Sequence, residues 1–245
     1  MRATILAGGR GTRLAPYTMV FPKPLMPIGG MPILEIVVRQ LAHHGFTEVT
    51  MAVGHLAELI ETFFGDGARF GLKITYSRER EPLGTAGPLG LIKDLDEPFL
   101  VMNGDLLTTV DFSGLARFHR SHDGIASIGL YEKTVKIDLG IVETDEENLV
   151  SGYLEKPTLK HWVSMGIYMF DPRVLSYVPE GVRLDLPELI LKLVEAGEKS
   201  VAYRFQGRWL DIGRPEDYHE AAEIFEARRQ EFCPAFPPAA RMRAA

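Results

Sequence analysis

Short apolar, β-prone runs alternate with helix-like patterns through the first hundred residues, and few architectures accept that order. Residues 3–6 read as a buried strand. Residues 33–43 read as a helix, with Pro32 near its start and Gly45 just past its end. A strand follows at 48–53, a helix at 56–64, a strand at 73–76 and another at 98–102, which stops at Asn103-Gly104-Asp105. Strand and helix in alternation imply a mostly parallel sheet covered on both faces. The second half reads differently. Closely spaced strands at 125–131, 140–143, 149–154 and 164–170 predict an antiparallel lobe on the same sheet. A helix at 186–196, closed by Gly197, precedes strands at 201–205 and 208–210 and a last helix at 215–229. No linker or internal repeat interrupts this, and no hexapeptide β-helix repeat follows it. We expect one domain over residues 1–230 and an irregular tail over 231–245, which holds Pro234, Pro237 and Pro238.

The first strand runs into Leu6-Ala7-Gly8-Gly9-Arg10-Gly11-Thr12-Arg13-Leu14, where Gly8, Gly9 and Gly11 crowd one loop. Glycine permits backbone conformations and close approaches that a Cβ forbids. Successive free N–H groups can then cradle phosphate oxygens, and Arg13 can add a forked contact. Two familiar phosphate loops do not fit. A Walker loop ends in Gly-Lys-Ser/Thr, whereas this one has Gly11-Thr12-Arg13. The dinucleotide pattern G-x-G-x-x-G starts at Gly9 and Gly11 but arrives at Leu14. The second strand ends Val53-Gly54-His55, without the acidic residue that would bind a ribose. A tight strand-to-helix turn would explain the glycines alone. Phe21-Pro22-Lys23-Pro24-Leu25-Met26-Pro27 adds to them: prolines on both sides of Lys23 fix its backbone and hold it out of helix, as suits a point charge at a phosphate.

Composition bounds the partners. Net charge is −6 over 245 residues and no Lys/Arg run stands out, so nucleic acid is disfavoured and a polyphosphate needs local cations. Cys233 is the single cysteine, which excludes an internal disulfide or a cysteine metal site. No apolar run approaches the roughly 18 residues of a membrane span, and the apolar start is too short for a signal peptide. A cytoplasmic protein without a membrane partner is expected; oligomeric state is left open, a homo-oligomer included.

The glycine loop together with Pro22-Lys23-Pro24-Leu25 resembles the signature of the sugar nucleotidylyltransferase family. The later motifs agree with it in order: Gly84-Thr85-Ala86, Asn103-Gly104-Asp105, Glu155-Lys156-Pro157, Gly166-Ile167-Tyr168 and Trp209-Leu210-Asp211-Ile212-Gly213. The resemblance implies a Rossmann-like three-layer α/β/α sandwich with a mixed, mostly parallel sheet, the N-terminal half binding nucleotide and the C-terminal half sugar. It implies transfer of a nucleoside monophosphate to a sugar-1-phosphate with release of pyrophosphate. The base-side loop looks closest to mannose- and heptose-1-phosphate guanylyltransferases, so GTP is favoured, with CTP, UTP and dTTP as alternatives.

The same resemblance distributes roles. Leu6, Ala7, Gly8, Gly9, Gly11, Thr12, Arg13, Lys23, Gly84, Thr85, Asn103 and Gly104 would bind the nucleotide. Arg13, Lys23 and Asp105 would be catalytic, and Asp105 with Asp211 would hold Mg²⁺. Gly140, Glu155, Lys156 and Gly166 would meet the sugar phosphate. The chemistry is compatible: a sugar phosphate oxygen is already anionic, so positioning and charge neutralisation dominate. Asp105 and Asp211 could instead cap turns, and Thr85 could cap a helix. His119 and His122, spaced i, i+3 on a helix, are expected on a solvated surface, and Asp145-Glu146-Glu147 in a charged turn. An inactive nucleotide-sugar-binding regulatory protein is the alternative of another class, and an enzyme of the same fold using a different phosphate is a third.

Overall fold

The computed structural model describes residues 1–233. Seven strands form one sheet: β1 (Arg2–Ala7), β2 (Glu48–Val53), β3 (Lys73–Arg78), β4 (Phe99–Asn103), β5 (Ala126–Lys136), β6 (Thr158–Phe170) and β7 (Ser200–Phe205). Their spatial order is β3-β2-β1-β4-β6-β5-β7. Pairing is parallel except around β6, which runs antiparallel to both β4 and β5. The mixed, mostly parallel sheet is therefore as expected. The antiparallel lobe is narrower than expected. β7 returns parallel to β5, and Ile141–Thr144 pairs with Val150–Leu154 in a hairpin of its own. Both β5 and β6 also run on past their expected ends into solvent.

Alternation along the strands builds two cores from one sheet. Phe99, Leu100, Val101 and Met102 of β4 are all fully buried, as a central strand covered on both faces requires. Leu100 and Met102 pack with Ile5, Val49 and Met51 under α1 (Ile33–His43), α2 (Ala57–Phe64) and α3 (Phe112–Arg120). Phe99 and Val101 face the other way, with Tyr168, Phe170 and the α4 (Leu186–Glu195) residues Leu189 and Leu193. Truncating a buried leucine such as Leu189 to alanine should cost about 2–5 kcal/mol.

A third cluster carries α5 (Pro215–Phe232). Phe225 and Phe232 pack with Ile33, Ile36, Leu107, Ile212 and Leu14, the last in the glycine loop itself. The helix thus buttresses the loop from behind. It also outlasts its expected end. Phe232 is fully buried, and its carbonyl accepts from the Gln40 amide at 2.8 Å. Glu231 and Phe232 therefore belong to the domain and not to an irregular tail; residues 234–245, with Pro234, Pro237 and Pro238, lie outside the described residues.

The strand order places the site. β1 pairs with β2 on one side and β4 on the other, and the chain fills β3 before crossing to β4. In open α/β sheets the crevice at such a reversal, beyond the C-terminal strand ends, receives ligands. Here it lies between Gly8, after β1, and Asn103-Gly104-Asp105, at the end of β4.

Candidate active site

The glycine loop is held in shape by backbone contacts that side chains would spoil. A Cβ on Gly54 would come within 2.9 Å of the Gly8 carbonyl oxygen, which accepts from His55 N at 3.2 Å. A Cβ on Gly8 would collide with the Glu79 carboxylate. Gly11 has φ +62°, and its carbonyl accepts from the Thr18 hydroxyl at 2.8 Å. A side chain there would be strained and would press on Thr18 and Lys23, at 3.0 and 3.1 Å. The Thr12–Leu14 turn that follows buries Leu14 and leaves Arg13 exposed, its guanidinium beside Gly213.

Lys23 opens a single 3₁₀ turn, Lys23–Leu25, after Pro22 in extended conformation. The flanking prolines keep it out of an α-helix, as expected, but not out of helical geometry altogether. It is 8% exposed, and its ammonium group forms an ion pair with Asp105 Oδ2. The other oxygen, Asp105 Oδ1, is buried without a hydrogen-bond partner, a costly state for a carboxylate oxygen. Asp211 ends the short strand Trp209–Asp211, paired with Leu106–Thr108, and Ile212 N donates to the Asp105 carbonyl at 3.3 Å. Its carboxyl reaches the surface, yet desolvation by its neighbours raises its pKa. The Asp105 charge adds to the rise, against Lys23 and Arg13. Two carboxylates that repel each other, one with an orphaned oxygen, fit a hard cation with oxygen ligands. Among the described residues no group of three or more His, Cys, Asp or Glu side chains forms a metal cage, so such a cation would rely on substrate oxygens as well.

Around this pair lies a cleft of about 640 Å³. Leu6, Ala7, Gly8, Gly9, Gly11, Thr12, Arg13, Lys23, Gly84, Thr85, Asn103 and Asp105 all line it. Gly104 sits behind the lining. Its N–H donates to the Leu6 carbonyl at 2.9 Å, and a Cβ would meet Ile5 and the Leu6 oxygen. Gly166, at φ +68° in an irregularity of β6, abuts the Asn103 side-chain amide. Gly140, Glu155 and Lys156 are not among the lining residues. A Cβ on Gly140 would collide with Tyr153 within the same hairpin, and Glu155 and Lys156 form an exposed ion pair at 3.8 Å.

Sequence reasoning missed Glu79 and mistook three other groups. Glu79 lines the cleft just beyond β3; its Oε2 accepts from Leu83 N at 2.7 Å, and burial raises its pKa. Its position beyond the C-terminal end of a parallel strand was the available signal. Thr85 caps a helix, but not its own: its hydroxyl accepts from Leu186 N at 2.7 Å, at the start of α4, while its N–H donates to Asp185 at 3.0 Å. His119 is buried and His122 half-buried, where both were expected on a solvated surface. His119 is 4% exposed, and both rings hydrogen-bond the buried Ser127 hydroxyl at 2.8 Å. Gly124 N donates to His122 Nδ1, so neutral His122 donates from Nε2 to Ser127, which passes its own proton toward His119 Nδ1. Asp145 does make the expected charged turn, accepting from Glu147 N and Leu149 N.

A family model described as Nucleotidyl transferase matches residues 2–228. The chain is 38% identical to a UTP–glucose-1-phosphate uridylyltransferase of Synechocystis sp., over 90% of this chain and 62% of the relative. It is 36% identical to a probable mannose-1-phosphate guanylyltransferase of Oryza sativa, over 92% and 64%. The chain thus spans less than two thirds of the length of these curated relatives. Among solved structures, a putative glucose-1-phosphate thymidylyltransferase from Bacillus anthracis superposes with TM-score 0.74 at 26% identity, covering 91% of this chain and 94% of that one. HddC from Yersinia pseudotuberculosis, complexed with GMP-PN, gives 0.68 at 25% identity, covering 91% and 99%.

Proposed function

Because the chain belongs to the nucleotidyl transferase family, we propose that it transfers a nucleoside monophosphate from a nucleoside triphosphate, GTP by preference, to a sugar-1-phosphate, giving an NDP-sugar and pyrophosphate. The observation that carries this reading is one cleft, at the sheet's reversal point, that joins the glycine loop and Arg13 to the Lys23–Asp105 pair, with Asp211 beside it. A sugar phosphate oxygen bonds to the α-phosphorus while the bond to the β-phosphate bridging oxygen breaks. The nucleophile is already an anion, so no general base is required. The chain's part is to align two polyanions and offset their charge. The loop N–H groups would hold the triphosphate, with Arg13 and Lys23 set against its charge. Asp105 Oδ1 and Asp211 would hold Mg²⁺, which, when bound, neutralises phosphate charge. Gly166 and Asn103 form the wall nearest the acceptor sugar, and Gly140, Glu155 and Lys156 would contact that sugar from the hairpin side. A cytoplasmic setting, where these substrates are made, fits the reading.

Glu79 supports the choice of base. Guanine presents two adjacent donors, N1–H and N2–H, and a carboxylate accepts both. Uracil presents one donor between two carbonyl oxygens, which a carboxylate repels. The uridylyltransferase relative keeps UTP as the second reading. Pyrophosphate release, measured with GTP, UTP, dTTP, CTP and ATP against a panel of sugar-1-phosphates, tests the proposal. The highest kcat/KM is expected with GTP. No turnover with any pair, despite nucleotide binding, would favour the regulatory alternative.

A further inference from the structure

The turn from β2 into α2 is held more tightly than a connection requires. Gly54, His55 and Leu56 join the two elements. Leu56 stands at φ +55°, a left-handed conformation that a leucine keeps only where its surroundings impose it. Here Ala57 N donates to the Gly54 carbonyl at 3.3 Å, and His55 N donates to the Gly8 carbonyl at 3.2 Å. The His55 backbone is thereby fixed against the glycine loop. Its ring lines the nucleotide cleft and is half-buried. Among the described residues that ring has no hydrogen-bond, ion-pair or aromatic partner. A half-buried N–H without a partner gives up water and gains nothing in exchange until a ligand supplies an acceptor.

Gly8 ties this histidine to Glu79. Its carbonyl accepts from His55, and a Cβ on it would collide with Glu79 Oε1. His55 follows β2 and Glu79 follows β3, parallel neighbours in register at Val53 and Arg78. A donor and an acceptor thus enter the cleft from adjacent strand ends beside Gly8. The edge of guanine presents O6, N1–H and N2–H, an acceptor followed by two donors. A carboxylate serves the two donors and leaves O6 without one. A neutral imidazole has one N–H to give. Resting on the GTP reading above, we propose that the His55 ring donates to guanine O6, so that His55 and Glu79 together read the whole edge. Adenine and cytosine present an amino group and a bare ring nitrogen in the O6 and N1–H places, so both contacts turn repulsive. Arg80 lines the cleft as well but is exposed, where water competes for its N–H groups.

Calorimetric titration of the full chain with Mg²⁺-nucleotide, without sugar phosphate, tests this apart from turnover. ITP lacks the N2 amino group, and 6-thio-GTP carries sulfur, a weak acceptor, in place of O6. Wild type is expected to bind GTP about 10-fold or more tighter than 6-thio-GTP. His55→Ala should weaken GTP and bring these two close to parity, while the GTP-to-ITP ratio, read by Glu79, keeps its wild-type value. Glu79→Ala should do the reverse. His55→Gln, which retains an N–H, should keep part of the preference for GTP over 6-thio-GTP. The ring has no protein partner, so Tm of His55→Ala should match wild type; the wild-type ratio carries the test if that variant does not fold. Equal binding of GTP and 6-thio-GTP by wild type overturns the proposal, as does a His55→Ala variant with the wild-type ratio. A ratio lost in Arg80→Gln and kept in His55→Ala gives the donor role to Arg80 and overturns it too. Tighter binding of UTP than of GTP by wild type would bring down the choice of base itself, and the His55 assignment with it.

Discussion

Glu79→Gln should turn the enzyme away from GTP, and the direction follows from one hydrogen bond. Glu79 Oε2 accepts from Leu83 N at 2.7 Å. In glutamine only the amide oxygen can take that place, so the amide nitrogen must occupy the other position, the one against Gly8 at the cleft. In the proposed complex, an acceptor facing guanine N1–H and N2–H is thereby replaced by a donor. The loss combines a charge-assisted hydrogen bond, about 1.5–3 kcal/mol, with donors left unpaired, about 1–3 kcal/mol. Taking 3 kcal/mol as the working value, kcat/KM for GTP should fall on the order of 100-fold. The carbonyl oxygens of uracil and thymine now meet a donor, so UTP and dTTP should hold or rise. Steady-state pyrophosphate release at sub-saturating nucleotide, with Tm as the folding control, measures both. Glu79→Ala should weaken GTP without favouring UTP. A GTP-to-UTP ratio for Glu79→Gln within a few-fold of wild type would refute the assignment. Acid should imitate the variant. Burial raises the Glu79 pKa, so the carboxylate, and with it the GTP preference, is lost at a higher pH than for an ordinary glutamate.

Asp105→Asn and Asp211→Asn should each lower kcat by about 100-fold or more at saturating Mg²⁺; Tm should change little for Asp211→Asn and fall for Asp105→Asn, which leaves the buried Lys23 ammonium unpaired; near-native turnover in both would rule out the metal assignment. Gly166→Ala places a methyl 2.5 Å from Asn103 Nδ2 at φ +68°; it should destabilise the chain by about 1–2 kcal/mol and lower kcat/KM through Asn103, read by denaturation and by kinetics. His119 has its pKa lowered to about 4, by burial first and by His122 second. Its stabilising effect is complete above pH 6.5 and shrinks as pH falls through 4, by roughly 3 kcal/mol at that point. Urea unfolding across this range should show the decline in wild type and not in His119→Gln; equal declines would exclude the imidazole as its source.

The parts of the fold legible in advance were those whose cause is local. Residues 33–43 combine an amphipathic helical pattern with a proline at one end and a glycine past the other, and α1 occupies that span. Residues 99–102 are uniformly apolar because β4 is buried on both faces. The glycine loop was legible as a tight loop because Gly8 and Gly11 stand where a Cβ would collide or strain the backbone. What stayed hidden depends on distant partners. Lys23 and Asp105 are 82 residues apart, and each looked like a separate phosphate or metal ligand. His119 resembles a polar surface residue until β5 sets Ser127 beneath it. Glu79 stands in the charged run Arg78-Glu79-Arg80-Glu81, which resembles any solvated turn, and its place just past β3, against Gly8, distinguishes it. The exposed half of β5 and β6 was missed because strand propensity does not report whether a partner layer exists above.

Thr85 ties the rim of the nucleotide cleft to the start of α4, through Asp185 and Leu186, about a hundred positions further along the chain. This sets a timetable for synthesis. A nascent chain that has emerged only as far as Asp105 already contains every residue lining the cleft, but its 84–85 corner has nothing to fasten to. Nucleotide retention by ribosome-bound chains should therefore appear late, once α4 and the loop-buttressing α5 have cleared the exit tunnel, and not accumulate gradually as the N-terminal strands assemble.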